Sequence, residues 1–415
     1  MKNKKKLSVY VHIPFCVRKC LYCDFLSFTC ADVDSYMSAM WNQIRGEAVK
    51  LADTYVVDTV FIGGGTPSCI PETYIQKTLS VLRESFSFAP GRPEITIEAN
   101  PGTVTPAKLR AYHEAGINRI SIGVQSFVDD ELRALGRIHN SKDAATAYQL
   151  AREAGFENVS MDLMSGIPGQ SGHSLKESLE RAAELGPEHI SVYSLIIEEG
   201  TPYAELYPDG AVDEDTDREM YEMTKEFLAK HGYRRYEISN YARTGRECRH
   251  NCAYWTMQDY IGFGIGAASM IGNRRFKVID DLQEYVRLLK DKDERSDRLG
   301  VCDREHVCGG ERVCDIEHVC GDGNDYNGGS VYDQLQECTN SPSEMLSEAI
   351  FLGLRMSLGV DLRKLEKTYG IDVAIKYADV IEHHTKNGLL LIEDGQMRLS
   401  DKGMDLANYV MSDFV

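Results

Sequence analysis

Apolar, β-branched runs recur along the first half of the chain, and each is followed by an amphipathic stretch of helical length. The strands this pattern predicts are residues 8–13, 59–62, 94–98, 119–124, 158–164 and 189–197. Helices are predicted between them at 33–51, 72–86, 106–115, 142–154 and 175–185, with a further one at 215–231. Repeated strand-then-helix units imply a parallel sheet, and runs this continuously apolar imply cover on both faces. Six such units are too few for a closed eight-stranded barrel, and the pattern alone fits a partial barrel and a doubly wound sheet equally.

After Gly232 the pattern gives way to turns and short strands, among them the glycine-rich stretch 260–270. From about residue 294 to 340 the composition is biased and contains a repeat, VCDREHVCGGER then VCDIEHVCGDGN, in which Cys302, His306 and Cys308 recur as Cys314, His318 and Cys320. Residues 343–415 are predicted to form a small unit, with helices at 343–356, 362–369 and 373–386 and a hairpin in LLLIEDGQMRLS turning at Asp394-Gly395. The expected layout is therefore 1–240, 241–293, 294–342 and 343–415.

Composition then narrows the function. At 415 residues and 43% hydrophobic, the chain exceeds one average domain and can bury a large core. A formal charge of −18 disfavours a general nucleic-acid binder, because phosphate contacts need a clustered basic surface. No run of about 18 apolar residues occurs, so no transmembrane helix is expected, which leaves peripheral membrane contact open. The start, MKNKKKLSVYVHIPF, is basic like a secretory signal, but its apolar stretch is short, alternating and interrupted by His12 and Pro14. Twelve cysteines without a signal peptide fit a reducing cytoplasm, where thiols serve metals or catalysis rather than disulfides.

The strongest chemical signal is VHIPFCVRKCLYCDF, where Cys16, Cys20 and Cys23 sit just past the first predicted strand. Three thiolates so close suit a cluster or a metal. A zinc site normally takes a fourth protein ligand, and Cys30 is poorly spaced to supply it. Three ligands to a four-iron cluster leave one iron open to a substrate or cofactor.

This segment resembles the signature of the radical S-adenosylmethionine (SAM) superfamily, Cys-x3-Cys-x2-Cys with an aromatic residue before the third cysteine, here Tyr22. The resemblance continues through FIGGGTP at 61–67, ITIEANPGT at 95–103, ISIGVQSF at 120–127, LGRIHN at 135–140 and SMDLMSGIPGQ at 160–170. That ordered series is similar to the branch holding oxygen-independent coproporphyrinogen III oxidase and the haem chaperones, over roughly residues 7–270. The resemblance implies an α/β fold, a partial parallel (β/α)6 barrel with a smaller C-terminal helical, winged-helix-like unit. It implies a [4Fe–4S] cluster on Cys16, Cys20 and Cys23, with SAM on the open iron as the source of a 5′-deoxyadenosyl radical. It makes Tyr10, Tyr22, Gly64, Gly65, Thr66, Glu98, Gln125, Arg137 and Asp162 the expected SAM contacts. The residues agree: glycines at a strand end admit close approach of a ligand, and strand carboxyl ends are where β/α folds bind. Arg137 can pair with a carboxylate, and Glu98, Gln125 and Asp162 can accept from hydroxyl or ammonium groups. The bland alternative for each is a structural hydrogen bond.

A second motif, CRHNCAYW with His250, Asn251, Tyr254 and Trp255, resembles an HNxxYW element of the haem chaperone branch, which makes His250 the expected haem ligand. A buried histidine beside a packed Tyr-Trp pair is the alternative. The oxidase branch carries a further cysteine two residues past the third, where this chain has Phe25, and a long N-terminal extension absent here. The resemblance therefore implies a haem chaperone whose partners are haem, haem-accepting proteins and an electron donor to the cluster. The alternative is the oxidase, an enzyme decarboxylating two propionates of coproporphyrinogen III. The repeat at 302–320 could bind a soft metal, yet a tandem duplication in a loop explains it equally well.

Overall fold

In the computed structural model, which describes residues 4–29, 32–208, 210–290, 331–333 and 337–415, six parallel strands lie side by side in chain order. They are β1 (Lys5–Ile13), β2 (Tyr55–Gly64), β3 (Glu94–Ala99), β4 (Arg119–Gln125), β5 (Val159–Ser165) and β6 (His189–Ser194). The order never reverses, so the winding is that of a partial barrel; a doubly wound sheet reverses at its switch point. The predicted strands 59–62 and 189–197 differ most from these bounds. Cys30 and the Cys/His repeat at 302–320 lie outside the described residues.

Helices α1 (Val33–Leu51), α2 (Glu72–Ser85), α3 (Pro106–Glu114), α4 (Asp129–Ala134), α5 (Ser141–Glu153) and α6 (Gly172–Leu185) connect the strands. Their ends follow local capping chemistry. Asn140 and Asp143 exchange capping bonds at the start of α5, and Ser171 does so with Ser174, which starts α6 earlier than its apolar periodicity suggested. Gly186 closes α6 in the left-handed conformation at φ 71°. Short α7 (Pro202–Leu206) and long α8 (Glu214–Lys230) follow.

The sheet continues past both edges of the six strands. Beyond β6 lie antiparallel β7 (Arg234–Arg235) and β8 (Asn240–Ala242). After α9 (Arg249–Trp255), strand β9 (Tyr260–Phe263) returns to pair parallel with β1, Ser8 opposite Tyr260 and Val11 opposite Phe263. The glycine-rich stretch is thus two strands, β9 and β10 (Ala268–Ile271), reversed through Gly264 at φ 95° and Gly266 at φ 66°. Strand β11 (Arg274–Lys277), helix α10 (Leu282–Leu289) and β12 (Cys338–Thr339) complete that edge.

The C-terminal region has its own core around Leu346, Ile350, Leu390, Met397 and Phe414. It holds α11 (Pro342–Gly353), β13 (Val360–Asp361), α12 (Leu362–Tyr369), α13 (Val373–Lys376), α14 (Ala378–Lys386), β14 (Leu390–Glu393), β15 (Gln396–Leu399), α15 (Asp401–Asp405) and α16 (Ala407–Ser412). The predicted helix at 373–386 is divided at Tyr377, whose ring packs on Phe414. The predicted hairpin is β14 and β15, with Asp394 and Gly395 both at positive φ.

Both faces of the barrel strands are covered, but by different chemistry. Val9, Val11, Ile62, Ile95, Ile97, Ile120, Ile122, Met161, Leu163 and Ile190 point outward into one apolar layer with the helices. The alternate positions point inward and are polar: Ser8, Thr59, Glu94, Thr96, Arg119, Ser121, Ser160, His189 and Ser191 are all buried. A closed eight-stranded barrel fills its interior with branched apolar side chains, whereas this one lines its axis with charge and hydroxyls.

Candidate functional site

The loop after β1 carries the three cysteines and is pinned from several sides. Cys16 donates its amide to Phe28 O (2.9 Å), and Phe28 donates to Pro14 O (2.7 Å), closing the loop on itself. Leu21 donates to Leu135 O (3.3 Å) and accepts from the Tyr203 amide on α7 (3.2 Å). His12 anchors the loop to the barrel. Its Nε2 meets Leu26 O at 3.0 Å and its Nδ1 meets the Tyr10 hydroxyl at 3.0 Å. A carbonyl can only accept, so the proton sits on Nε2 and Nδ1 accepts from Tyr10. Burial lowers the His12 pKa, which fits that neutral tautomer.

Cys16, Cys20 and Cys23 line a cavity of about 460 Å³ at the carboxyl ends of the strands, together with Tyr22, Gly64, Gly65, Thr66, Glu98, Gln125, Arg137 and Asp162. The structure therefore brings together all the residues expected there except Tyr10. Tyr10 lies deeper in the barrel, its ring stacked on Phe61 with centroids 6.4 Å apart. Asn100, Ser121 and Gly123 line the cavity as well, unsingled by the sequence. Alternation along β4 could have found two of them, because Ser121 and Gly123 share the parity of Gln125.

Asn100 is the hub of the polar wall. Its Nδ2 donates to Thr66 Oγ1 (2.7 Å), and its Oδ1 accepts from Arg137 Nη2 (2.5 Å), which also reaches Gly123 O (2.6 Å). Arg137 Nη1 stands 3.5 Å from Cys20 Sγ, placing a fixed positive charge beside the cysteine loop. Burial pushes the Tyr22 hydroxyl pKa well up, so it stays protonated.

Two carboxylates face the same space. Burial, then the charge of Asp162, raises the Glu98 pKa to about 7. Asp162 is also raised by burial, although hydrogen bonds from Ser191 and Ser121, the latter at 2.9 and 3.0 Å, act against the rise. Two acids held above their ordinary range mark a place prepared for a cation.

The glycines serve close packing rather than ligand-facing amides. Gly64 donates to Glu98 Oε2 (3.1 Å), Gly65 to Ile13 O (2.9 Å) and Thr66 to Phe15 O (2.7 Å), so all three amides are used within the protein. A Cβ on Gly65 would stand 2.7 Å from Phe15 O, and one on Gly64, at φ 110°, 2.5 Å from the His12 ring. Gln125 adopts φ 66° where the register with β5 shifts, a backbone strain of about 1–3 kcal/mol of the kind that collects at binding sites.

The donor set fits a cluster better than a single ion. Among the described residues no three His, Cys, Asp or Glu side chains converge on a point one metal could occupy. Thiolates on three different irons need no such convergence. Burial, then the neighbouring Cys20 and Cys16, raise the Cys23 thiol above its usual range.

His250 is at the other end of the barrel. Helix α9 plugs the amino-terminal opening, and Glu94 receives the amides of Arg249 (3.1 Å) and His250 (3.0 Å) at its unsatisfied N-terminus. The His250 side chain is 1% exposed, with Nδ1 on Thr59 Oγ1 (2.8 Å) and Nε2 on the Tyr254 hydroxyl (2.9 Å). Burial and Arg119 push its pKa down to about 3. Both ring nitrogens of His250 are thus hydrogen-bonded within the protein. Trp255 stacks under the Arg355 guanidinium, 4.4 Å from the ring centroid, and ties α9 to the C-terminal region.

Comparison with known proteins agrees with this architecture. The radical SAM superfamily model matches residues 10–182, and the HemN C-terminal domain model matches 340–406. The chain is 33% identical to the haem chaperone HemW of Bacillus subtilis, over 98% of this chain and 99% of that one. It is 42% identical to the haem chaperone HemW of Escherichia coli, over 63% of this chain and 69% of that one. The solved coproporphyrinogen III oxidase (HemN) of Escherichia coli, described as a radical SAM enzyme, superposes with a TM-score of 0.80 over 99% of this chain and 90% of that one, at 22% identity. That last likeness shows the fold.

Proposed function

The chain belongs to the haem chaperone HemW family of radical SAM proteins, and from that premise we propose that it binds haem and passes it to acceptor proteins. Membership of the radical SAM family implies a [4Fe–4S] cluster and SAM, which when bound supply one-electron chemistry. In this reading Cys16, Cys20 and Cys23 hold the cluster. Arg137 fixes a carboxylate, Glu98 and Asp162 receive cationic or hydroxyl groups of SAM, and Gln125 with Tyr22 orients it. Residues around the cavity exclude water from the space between the strand ends and the cysteine loop. No helix of the described residues is long and apolar enough to cross a membrane. We place the protein in the cytoplasm, where thiols stay reduced and an electron donor can reach the loop.

The observation that carries this reading is the likeness to haem chaperones along the whole chain. Position 25 supports it: Phe25, 64% exposed at the cavity mouth, offers no additional thiol to the loop. The test is to load the full-length protein with haem and mix it with an apo-haemoprotein. Transfer measured by the acceptor's spectrum is the expected result, with coproporphyrinogen III left unconverted under anaerobic, SAM-replete conditions. Sustained SAM-dependent formation of protoporphyrinogen IX would overturn it.

A further inference from the structure

Resting on the cluster assigned above to Cys16, Cys20 and Cys23, we propose that Tyr10 and Tyr254, bridged by Phe61 and His250, carry single electrons from Tyr260 to an oxidant in the cysteine cavity. The route would draw oxidation away from the loop thiols, whose higher oxidation states are not reversed. The rings form one unbroken series through the barrel. From His12, which anchors the cysteine loop, the centroid separations run 5.9 Å to Tyr10, 6.4 Å to Phe61, 5.2 Å to His250, 5.0 Å to Tyr254 and 4.6 Å to Tyr260. Every step lies within aromatic contact, about 4.5–7 Å. The series begins beside the cavity: Gly64, against which the His12 ring packs, and Glu98, whose charge reaches the Tyr10 hydroxyl, both line it. It ends at half-buried Tyr260, whose hydroxyl accepts from Arg275 Nη1 at 3.0 Å.

What sets these two tyrosines apart is a base for the proton that a phenol must lose on oxidation. The Tyr10 hydroxyl donates to His12 Nδ1 at 3.0 Å, the tautomer fixed by Leu26 O. The second pair is fixed in the same way. Thr59 donates its hydroxyl to Ser8 Oγ (2.9 Å), so it accepts from His250 Nδ1, and Nε2 is left to accept from Tyr254 at 2.9 Å. Burial raises both phenols and lowers both imidazoles, so each pair rests neutral, with the proton on oxygen. Other interior tyrosines lack such a base: Tyr36, Tyr203 and Tyr233 donate to the backbone carbonyls of His12, Ala134 and Pro187, which cannot take up a proton. A third pair, Tyr236 with His189, makes no ring contact with a member of the series.

The steps balance. Tyr10 gives one electron to the oxidant, which is reduced, and passes its hydroxyl proton to His12 Nδ1, leaving a neutral phenoxyl radical beside an imidazolium. An oxidised phenol is so strong an acid that even a depressed imidazole accepts its proton. The Tyr10 radical then takes an electron from Tyr254 through Phe61 and His250 and recovers its proton from His12, while the Tyr254 proton moves to His250 Nε2. Tyr260 next reduces the Tyr254 radical, which regains its own proton, and loses a proton to water. A soluble thiol closes the cycle by giving one hydrogen atom to the Tyr260 radical and leaving as a thiyl radical.

The test makes the oxidant at the cluster, by adding stoichiometric hydrogen peroxide to anaerobic, cluster-loaded, full-length protein with a nitroso spin trap, and maps the trapped tyrosyl adducts by peptide mass spectrometry. Wild-type protein should carry adduct at Tyr260. Tyr10→Phe and Tyr254→Phe, which keep the ring and lose the transferable proton, should each bring that adduct down to its level without peroxide, while oxidation of Cys16, Cys20 and Cys23 rises. A ruthenium photo-oxidant free in solution should label Tyr260 equally in all three proteins. Undiminished peroxide-dependent adduct in both variants, with iron content intact, overturns the route, as does its absence from the wild type. Parallel loss of the solution label in both variants would place the effect in folding and overturn it too. Failure of the wild-type protein to assemble any cluster would remove the reading on which the route rests, an outcome distinct from the others.

Discussion

Replacing Glu98 by Gln should stabilise the protein, and the size of the effect should depend on pH. The Glu98 carboxyl is raised from an ordinary value near 4.5 to about 7, chiefly by burial and then by Asp162. At about 1.4 kcal/mol for each tenfold, that rise corresponds to about 3 kcal/mol. Below pH 4.5 the carboxyl is protonated in both folded and unfolded chains, and glutamine imitates it closely, still accepting from the Gly64 amide. Between pH 4.5 and 7 the unfolded chain releases the proton while the folded chain retains it, so wild-type stability falls relative to the variant. Above pH 7 the difference should level off in favour of Gln. With an unfolding entropy of roughly 2 cal/mol/K per residue, about 3 kcal/mol moves the melting midpoint of a 415-residue chain by about 3–4 °C. The assay is the melting midpoint of cluster-free, SAM-free protein, variant against wild type, at pH 4.5 and pH 8. His12 and His139 titrate in both proteins and cancel in the difference, whereas Asp162, whose charge acts on Glu98, contributes to it. A difference that does not grow between the two pH values would refute the argument from burial.

Three other outcomes follow from the site. Alanine at any one of Cys16, Cys20 or Cys23 should abolish a reconstituted cluster, and full iron and sulfide content in any single variant would overturn the assignment. Arg137→Ala and Asp162→Ala should each weaken SAM binding by roughly tenfold to a hundredfold in equilibrium dialysis while leaving iron content unchanged; normal affinity in both would exclude them as contacts. His250→Ala should cost about 3 kcal/mol or more in denaturant unfolding, because it opens a buried cavity and leaves Thr59 and Tyr254 without their partner. The same variant should retain the wild-type haem spectrum, and a displaced Soret band would return the axial role to His250.

The alternation of strand and helix was legible because each barrel strand carries Val, Ile, Leu or Met on its outward face, which the helices bury. What was hard to read was the inward face. Glu94, Thr96 and Glu98 on β3, or Ser160 and Asp162 on β5, look in sequence like the solvated side of a half-exposed sheet. Glu94, Thr96 and Ser160 are instead buried, and Glu98 and Asp162 half-buried, around an axis that only closure of the barrel creates. The cysteine loop and the glycine motif could be found as local strings. Asn100 could not, because its importance lies in joining Thr66 and Arg137, which are remote from it in the chain. His250 is the opposite case: its motif was visible, while its two hydrogen-bond partners come from β2 and from its own helix turn. The short pairing of β9 with β1 was likewise invisible, since it joins segments about 250 residues apart.

The polar axis also connects the two ends of the barrel. Arg119, 2% exposed, sits along it, and although burial opposes its charge, the carboxylates of Glu94 and Asp162 help to hold it protonated. The same guanidinium lowers the pKa values of His189 and His250, each already depressed by burial, and partly offsets the rise at Glu98 and Asp162. It therefore keeps the plug neutral at one end while favouring ionised carboxylates at the other. Removing a single partner of such a charge leaves it uncompensated in a medium of low dielectric, which costs more than the pair contributes when intact. The helix that closes the bottom of the barrel and the acids that face the cysteine cavity are consequently bound to one fixed charge. A change in how α9 seats against Glu94 must alter the field at Asp162 as well.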